Sequence, residues 1–94
     1  MKYTIDYTTN FKKQFKKIKK QNRKLNIFYD VVEKLSSGKE LEPKYKNHKL
    51  INDKKYNNCY ECHLEPDWLL VYKIEENELI LLLFATGSHS ELFR

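Results

Sequence analysis

The period of the hydrophobic pattern switches between helical and strand spacing along this chain, and that switch constrains the fold more than any other feature. Phe11, Phe15 and Ile18, then Leu25, Phe28, Val32 and Leu35, recur at spacings of three and four, which puts each set on one face of a helix. From Cys59 onward the apolar residues come instead in short runs rich in Leu, Ile, Val and aromatics, cut by Pro66-Asp67 and Glu76-Asn77. That is the pattern of strands and tight turns. Residues 2–7 also read as a strand, because Tyr3, Ile5 and Tyr7 alternate with Lys2, Thr4 and Asp6.

These signals predict a first helix over residues 9–20, capped by Thr8, Thr9 or Asn10, and a second stopped by Ser36-Ser37-Gly38. With only Gln21 and Asn22 between them, the two should form an antiparallel hairpin. Three strands come next as a meander, Cys59 to Glu65, Trp68 to Glu75 and Glu78 to Ala85. The Lys- and Asn-rich stretch from Lys39 to Asn58 contains Pro43 and reads as loop, with a short strand near His48 to Ile51. The expected class is α+β in the order β-α-α-β-β-β. An antiparallel sheet should carry the helical hairpin on one face and leave the other open. The 94 residues suit one domain, 1–94, since domains typically hold about 100–150.

Hydrophobic residues make up 40% of the chain with only two Gly and two Pro, so it should fold rather than stay disordered. The longest apolar run, Leu79 to Ala85, falls far short of the ~20 residues that a membrane-spanning helix needs. The first residues lack the apolar stretch of a signal peptide. A cytoplasmic protein with no membrane partner is therefore expected. Of the charges behind the net +5, eight basic residues fall between Lys12 and Lys24 without one acidic residue. Lys16, Lys17 and Lys20 lie in this patch, which should attract a polyanion such as RNA.

On the strand after Cys59, alternation puts Glu61, His63 and Glu65 on one face and Tyr60, Cys62 and Leu64 on the other. The apolar set belongs to the core, so His63 should stand on the open face beside the turn that holds Asp67. His48 and His89 also fall outside the helical pattern. Cys59-Tyr60-Glu61-Cys62-His63 spells a haem-attachment pattern, but cysteines three apart on a strand point to opposite faces. Two reduced, partly buried thiols are expected, with no metal site and no cofactor.

The run Tyr60-Glu61-Cys62-His63-Leu64-Glu65-Pro66-Asp67-Trp68-Leu69-Leu70-Val71-Tyr72-Lys73 resembles the central signature of the RelE/YafQ toxins. Gly87-Ser88-His89-Ser90-Glu91-Leu92-Phe93 resembles their C-terminal one. The resemblance implies a RelE-like fold and a toxin of a type II toxin–antitoxin pair, a metal-independent endoribonuclease that cleaves messenger RNA on the ribosome and is silenced by a cognate antitoxin. It also implies a catalytic set of His48, His63, Asp67 and His89, with Trp68 and Phe93 stacking on RNA bases. Such cleavage needs a base for the 2′-hydroxyl proton and an acid for the leaving 5′-oxygen, and histidine suits both near neutral pH. His89 is expected as the acid, Asp67 or His63 as the base, and His48 as a phosphate contact. The chain departs from the family where Tyr60 and Ala85 replace the usual arginines; Lys46, Lys49, Lys54 or Lys55 can offer charge instead. Two alternatives keep the fold without the chemistry, a ParE-like toxin that binds gyrase and a non-catalytic RNA-binding module.

Overall fold

The computed structural model describes residues 2–93. In chain order these form β1 (Thr4–Tyr7), α1 (Thr9–Lys19), α2 (Leu25–Ser36), β2 (His48–Lys49), β3 (Tyr60–Glu65), β4 (Trp68–Glu75), β5 (Ile80–Gly87) and α3 (His89–Leu92). A 3-10 turn at Pro43–Tyr45 precedes β2. Among the described residues no helix is long and apolar enough to cross a membrane. The Thr8 hydroxyl starts α1 by accepting the Phe11 N–H at 2.9 Å, and it donates to the Phe84 carbonyl at 2.7 Å. Past α2, Gly38 takes a φ of +76° and the Lys39 N–H returns to the Lys34 carbonyl at 3.0 Å, ending the helix where Ser36-Ser37-Gly38 predicts.

The sheet runs β1-β5-β4-β3-β2. Its pairs are antiparallel except that β1 lies parallel to β5, Thr4 to Tyr7 beside Ile80 to Leu83. The sheet is thus mixed rather than wholly antiparallel. The helical hairpin acts as a crossover after β1, the kind of connection that lets two strands of one sheet run in the same direction. The last strand also begins two residues later than expected, because Glu76 to Leu79 all belong to the turn and Leu79 adopts a φ of +55°.

Helix residues such as Phe11, Phe28, Val31 and Leu35 pack on Cys62, Leu70, Leu81 and Leu83 from one face of the sheet. The opposite face is not left open. Leu69, Val71 and Ala85 project there and are covered by Tyr56 from the loop and Leu92 from α3. A strand that is apolar on both sides demands this cover. The polar segment before β3 supplies it by folding on itself, with the Asp53 carboxylate accepting the Lys55 and Tyr56 N–H groups at 3.0 Å and the Tyr56 hydroxyl donating to the Leu92 carbonyl at 3.1 Å.

Two register breaks interrupt the meander, one between His63 and Glu65 and one between Val71 and Tyr72. The second sets Leu83 towards the helices and Ala85 towards the opposite face. Leu81 is fully buried between β1 and β4. Leu81→Ala should therefore lower unfolding free energy by roughly 2–5 kcal/mol, the range for a truncated core leucine; urea unfolding followed by circular dichroism measures it.

Candidate active site

The antiparallel registers place His48 opposite Glu61, Glu61 opposite Val71 and Val71 opposite Ala85. The next row runs His63, Leu69, Gly87. Glu61 is 6% exposed and stands between two imidazoles, with His63 Nε2 at 3.0 Å and His48 Nε2 at 4.0 Å from its Oε1. A carbonyl can only accept, so the 2.8 Å contact from His48 Nδ1 to the Lys46 carbonyl assigns the proton to Nδ1. The Glu61 carboxylate accepts a hydrogen bond from the His63 Nε2–H in the same way, which leaves His63 Nδ1 as an acceptor. His63 lines a cavity of about 390 Å³ together with Lys44 and Lys46.

His89 stands two residues beyond Gly87 as the first residue of α3, exposed, its ring 5.1 Å from that of Phe93. Phe93 packs in turn on Tyr56 at 5.3 Å. Neighbouring strands lie about 4.8 Å apart. By strand register His63 on β3 and Gly87, two residues before His89, are therefore two strand spacings apart, on the order of 10 Å, across a strip of buried apolar residues. Ala85, where the family resemblance implies an arginine, is a fully buried methyl in that strip.

Asp67 is brought to a different partner. Arg23, in the α1–α2 connection, places Nη1 at 2.8 Å and Nη2 at 3.4 Å from the two Asp67 oxygens, and Nη1 at 3.8 Å from Glu65. This guanidinium holds the Asp67 carboxyl below its ordinary range. Asp67, Arg23, Ser88 and Ser90 line a common cleft of about 640 Å³.

Three expectations change. Trp68 is fully buried, its Nε1 donating to Thr86 Oγ1 at 2.9 Å while the Thr86 hydroxyl donates to the Leu69 carbonyl at 2.7 Å. No face of Trp68 is left for a base, because β4 needs the indole in its core. Lys17 does not simply project into solvent, since its ammonium, although exposed, pairs with Glu91 at 2.7 Å. Both cysteines are fully buried free thiols rather than partly buried ones, Cys59 under Tyr56 on one face and Cys62 on the helical face, where burial raises its pKa to about 12. Lys16, Lys20 and Lys49 are exposed and Phe93 is half-buried. Among the described residues no group of three or more His, Cys, Asp or Glu side chains is placed to hold a metal ion.

Glu61, Arg23 and Glu91 are additions. Alternation already put Glu61 on the face of His63, but its second histidine depends on the β2 pairing. Arg23 is the one arginine in a run of lysines, and nothing local points it at Asp67.

The family model for the bacterial toxin of type II toxin–antitoxin systems, YafQ, matches residues 3–94. The chain belongs to this family. An mRNA interferase toxin YafQ of Escherichia coli BL21-DE3 is 30% identical over 90 residues, which cover 95% of this chain and 94% of that protein. The crystal structure of a metal-bound toxin from Helicobacter pylori is 43% identical and superposes with a TM-score of 0.90, covering 97% of this chain and 99% of that one. The YafQ chain of the E. coli DinJ-YafQ complex is 29% identical with a TM-score of 0.85, covering 98% and 99%.

In this toxin Ser88 and Glu91 close a capping box at the start of α3. The Lys17 ammonium, then the Ser88 N–H, hold the Glu91 carboxyl down to about 2 from an ordinary 4.5. A carboxyl depressed in the folded state stabilises it above the unfolded value and loses that contribution as pH falls through the folded one. The stability advantage of the parent over Glu91→Gln should thus be full above pH 4.5 and fade towards pH 2. Thermal unfolding of both proteins across that window measures it.

Proposed function

We propose that this toxin is a ribosome-dependent endoribonuclease acting on messenger RNA in the cytoplasm, silenced by a cognate antitoxin as the E. coli relative is found with DinJ. The observation that carries the reading is the pair of imidazoles on either side of one apolar strip, His63 backed by buried Glu61 and His89 at the start of α3. A base and an acid on opposite sides of a phosphodiester are what transesterification of RNA requires.

His63 Nδ1 takes the proton from the 2′-hydroxyl as that oxygen attacks phosphorus, and Glu61 stabilises the imidazolium that forms. His89 gives its proton to the leaving 5′-oxygen. The products are a 2′,3′-cyclic phosphate and a free 5′-hydroxyl, so atoms and charge balance without water. Asp67, kept ionised by Arg23, is too weak a base for the first step; its carboxylate instead ties the β3–β4 turn to the helical hairpin. His48, whose Nδ1 proton goes to the Lys46 carbonyl, contacts the phosphate as the imidazolium, the form in which Nε2 also donates. Lys44 and Lys46 line the cavity that holds His63 and supply positive charge in place of the missing arginines. Phe93, half-buried beside His89, offers its ring for stacking on a base.

His89→Ala should keep fold and antitoxin binding while cutting message cleavage by ~10²–10⁴-fold, the scale of general acid–base catalysis. His89→Gln, which donates a hydrogen bond but no proton, should be nearly as inactive. Single-turnover cleavage on programmed ribosomes measures both, with a chelator expected to leave the parent unaffected; a variant within a few-fold of the parent, or abolition by chelator, overturns the mechanism.

Lys16 and Lys20 stand exposed on α1 and at its C-terminal end. Changing both to Ala should weaken binding to single-stranded RNA and flatten its dependence on log salt by about 0.7 for each phosphate that is no longer neutralised. Titration of a labelled oligonucleotide at several salt concentrations reads the slope.

A further inference from the structure

Strand β1 ends at Tyr7 opposite Leu83, yet β5 continues to Gly87 and leads directly to His89. Beyond Tyr7 the edge of β5 needs another source of partners. Helix α1 and its cap provide them in order along the chain. The Thr8 hydroxyl donates to the Phe84 carbonyl at 2.7 Å, the Gln14 side-chain oxygen accepts the buried Thr86 N–H at 2.9 Å, and the Lys17 ammonium reaches Glu91 at 2.7 Å. Gln14 and Lys17 are three residues apart and so share one helical face.

Glu91 uses its two oxygens for two different tasks. Oε2 receives Lys17 while Oε1 accepts the Ser88 N–H at 2.8 Å, and the Ser88 hydroxyl accepts the Glu91 N–H at 3.2 Å. His89 is the residue held between these groups. There is little slack, because a Cβ on Gly87 would stand 3.1 Å from that same Oε1.

We propose that Gln14, Lys17 and Glu91 are positioning residues that set where the His89 imidazole stands. The proposal rests on the general-acid role of His89. It moves Lys17 from holding RNA to holding the catalytic loop, and it makes α1 the element from which the acid is aimed. The Lys17 end of the pair is largely exposed, which limits what the pair adds to stability, so its loss should be felt in position as well as in folding.

Single-turnover cleavage on programmed ribosomes, with ribosome affinity measured separately, tests it. Lys17→Ala and Glu91→Gln should each lower the cleavage rate about 10-fold, within the range that misplacement of a catalytic group produces, while affinity stays constant. The double variant should be no worse than either single one, and Lys17→Arg should recover to within a few-fold of the parent. Lys34→Ala, which breaks the comparable exposed pair between α2 and Glu42, should behave like the parent. Amide exchange of the free protein should speed up at Ser88 and Glu91 in Lys17→Ala. Unchanged rates in Lys17→Ala and Glu91→Gln, a loss confined to affinity, or unaltered amide exchange overturns the proposal. If the parent itself fails to cleave, the ribonuclease reading falls, and amide exchange still decides whether α1 pins the loop.

Discussion

Strand β4 is buried on both faces from Trp68 to Tyr72, and the rest of the molecule is organised to cover it. Alternate side chains of one strand cannot share a core, so two separate apolar clusters form. The helical hairpin covers Trp68, Leu70 and Tyr72, while Tyr56 and Leu92 cover Leu69 and Val71. Burial also leaves the indole N–H and the Thr86 hydroxyl without water, and the chain of hydrogen bonds from Trp68 through Thr86 to the Leu69 carbonyl satisfies both. The strand order brings His63 and His89 to opposite margins of the second cluster.

The charges around that cluster are shared out rather than merely present. Glu61, nearly inaccessible, faces two histidines, an arrangement that lets one carboxylate orient His63 and lie within 4.0 Å of His48. Asp67, by contrast, is given to Arg23. One carboxylate therefore meets an imidazole, and the other is neutralised by a guanidinium whose pKa is raised by that same contact. Buried Ala85 in the row of His48, Glu61 and Val71 keeps a fixed cation out of the strip and leaves positive charge to lysines at its margin.

The basic hairpin has two uses that its charge count does not separate. Its outward lysines make a field attractive to polyanions. Lys17 and Arg23 instead form ion pairs, with Glu91 beside His89 and with Asp67 in the β3–β4 turn. The hairpin thus holds both segments that leave the sheet next to His63 and His89.

The helical hairpin, the meander and the face shared by Glu61 and His63 were legible in the sequence, because helix and strand each impose a fixed spacing on apolar residues within one element. The bounds of β4 and the stop of α2 at Ser36-Ser37-Gly38 came from local turn chemistry. The parallel β1–β5 pair, the cover over the second face, the burial of Trp68 and the ties from Lys17 to Glu91 and from Arg23 to Asp67 were not legible. Each joins residues far apart in the chain, and no local period encodes which strand lies beside which. Sequence by itself determined the elements and the chemical types available to the site; tertiary structure decided which carboxylate meets which cation or imidazole, because those choices depend on strand order and register breaks that only the packed core enforces.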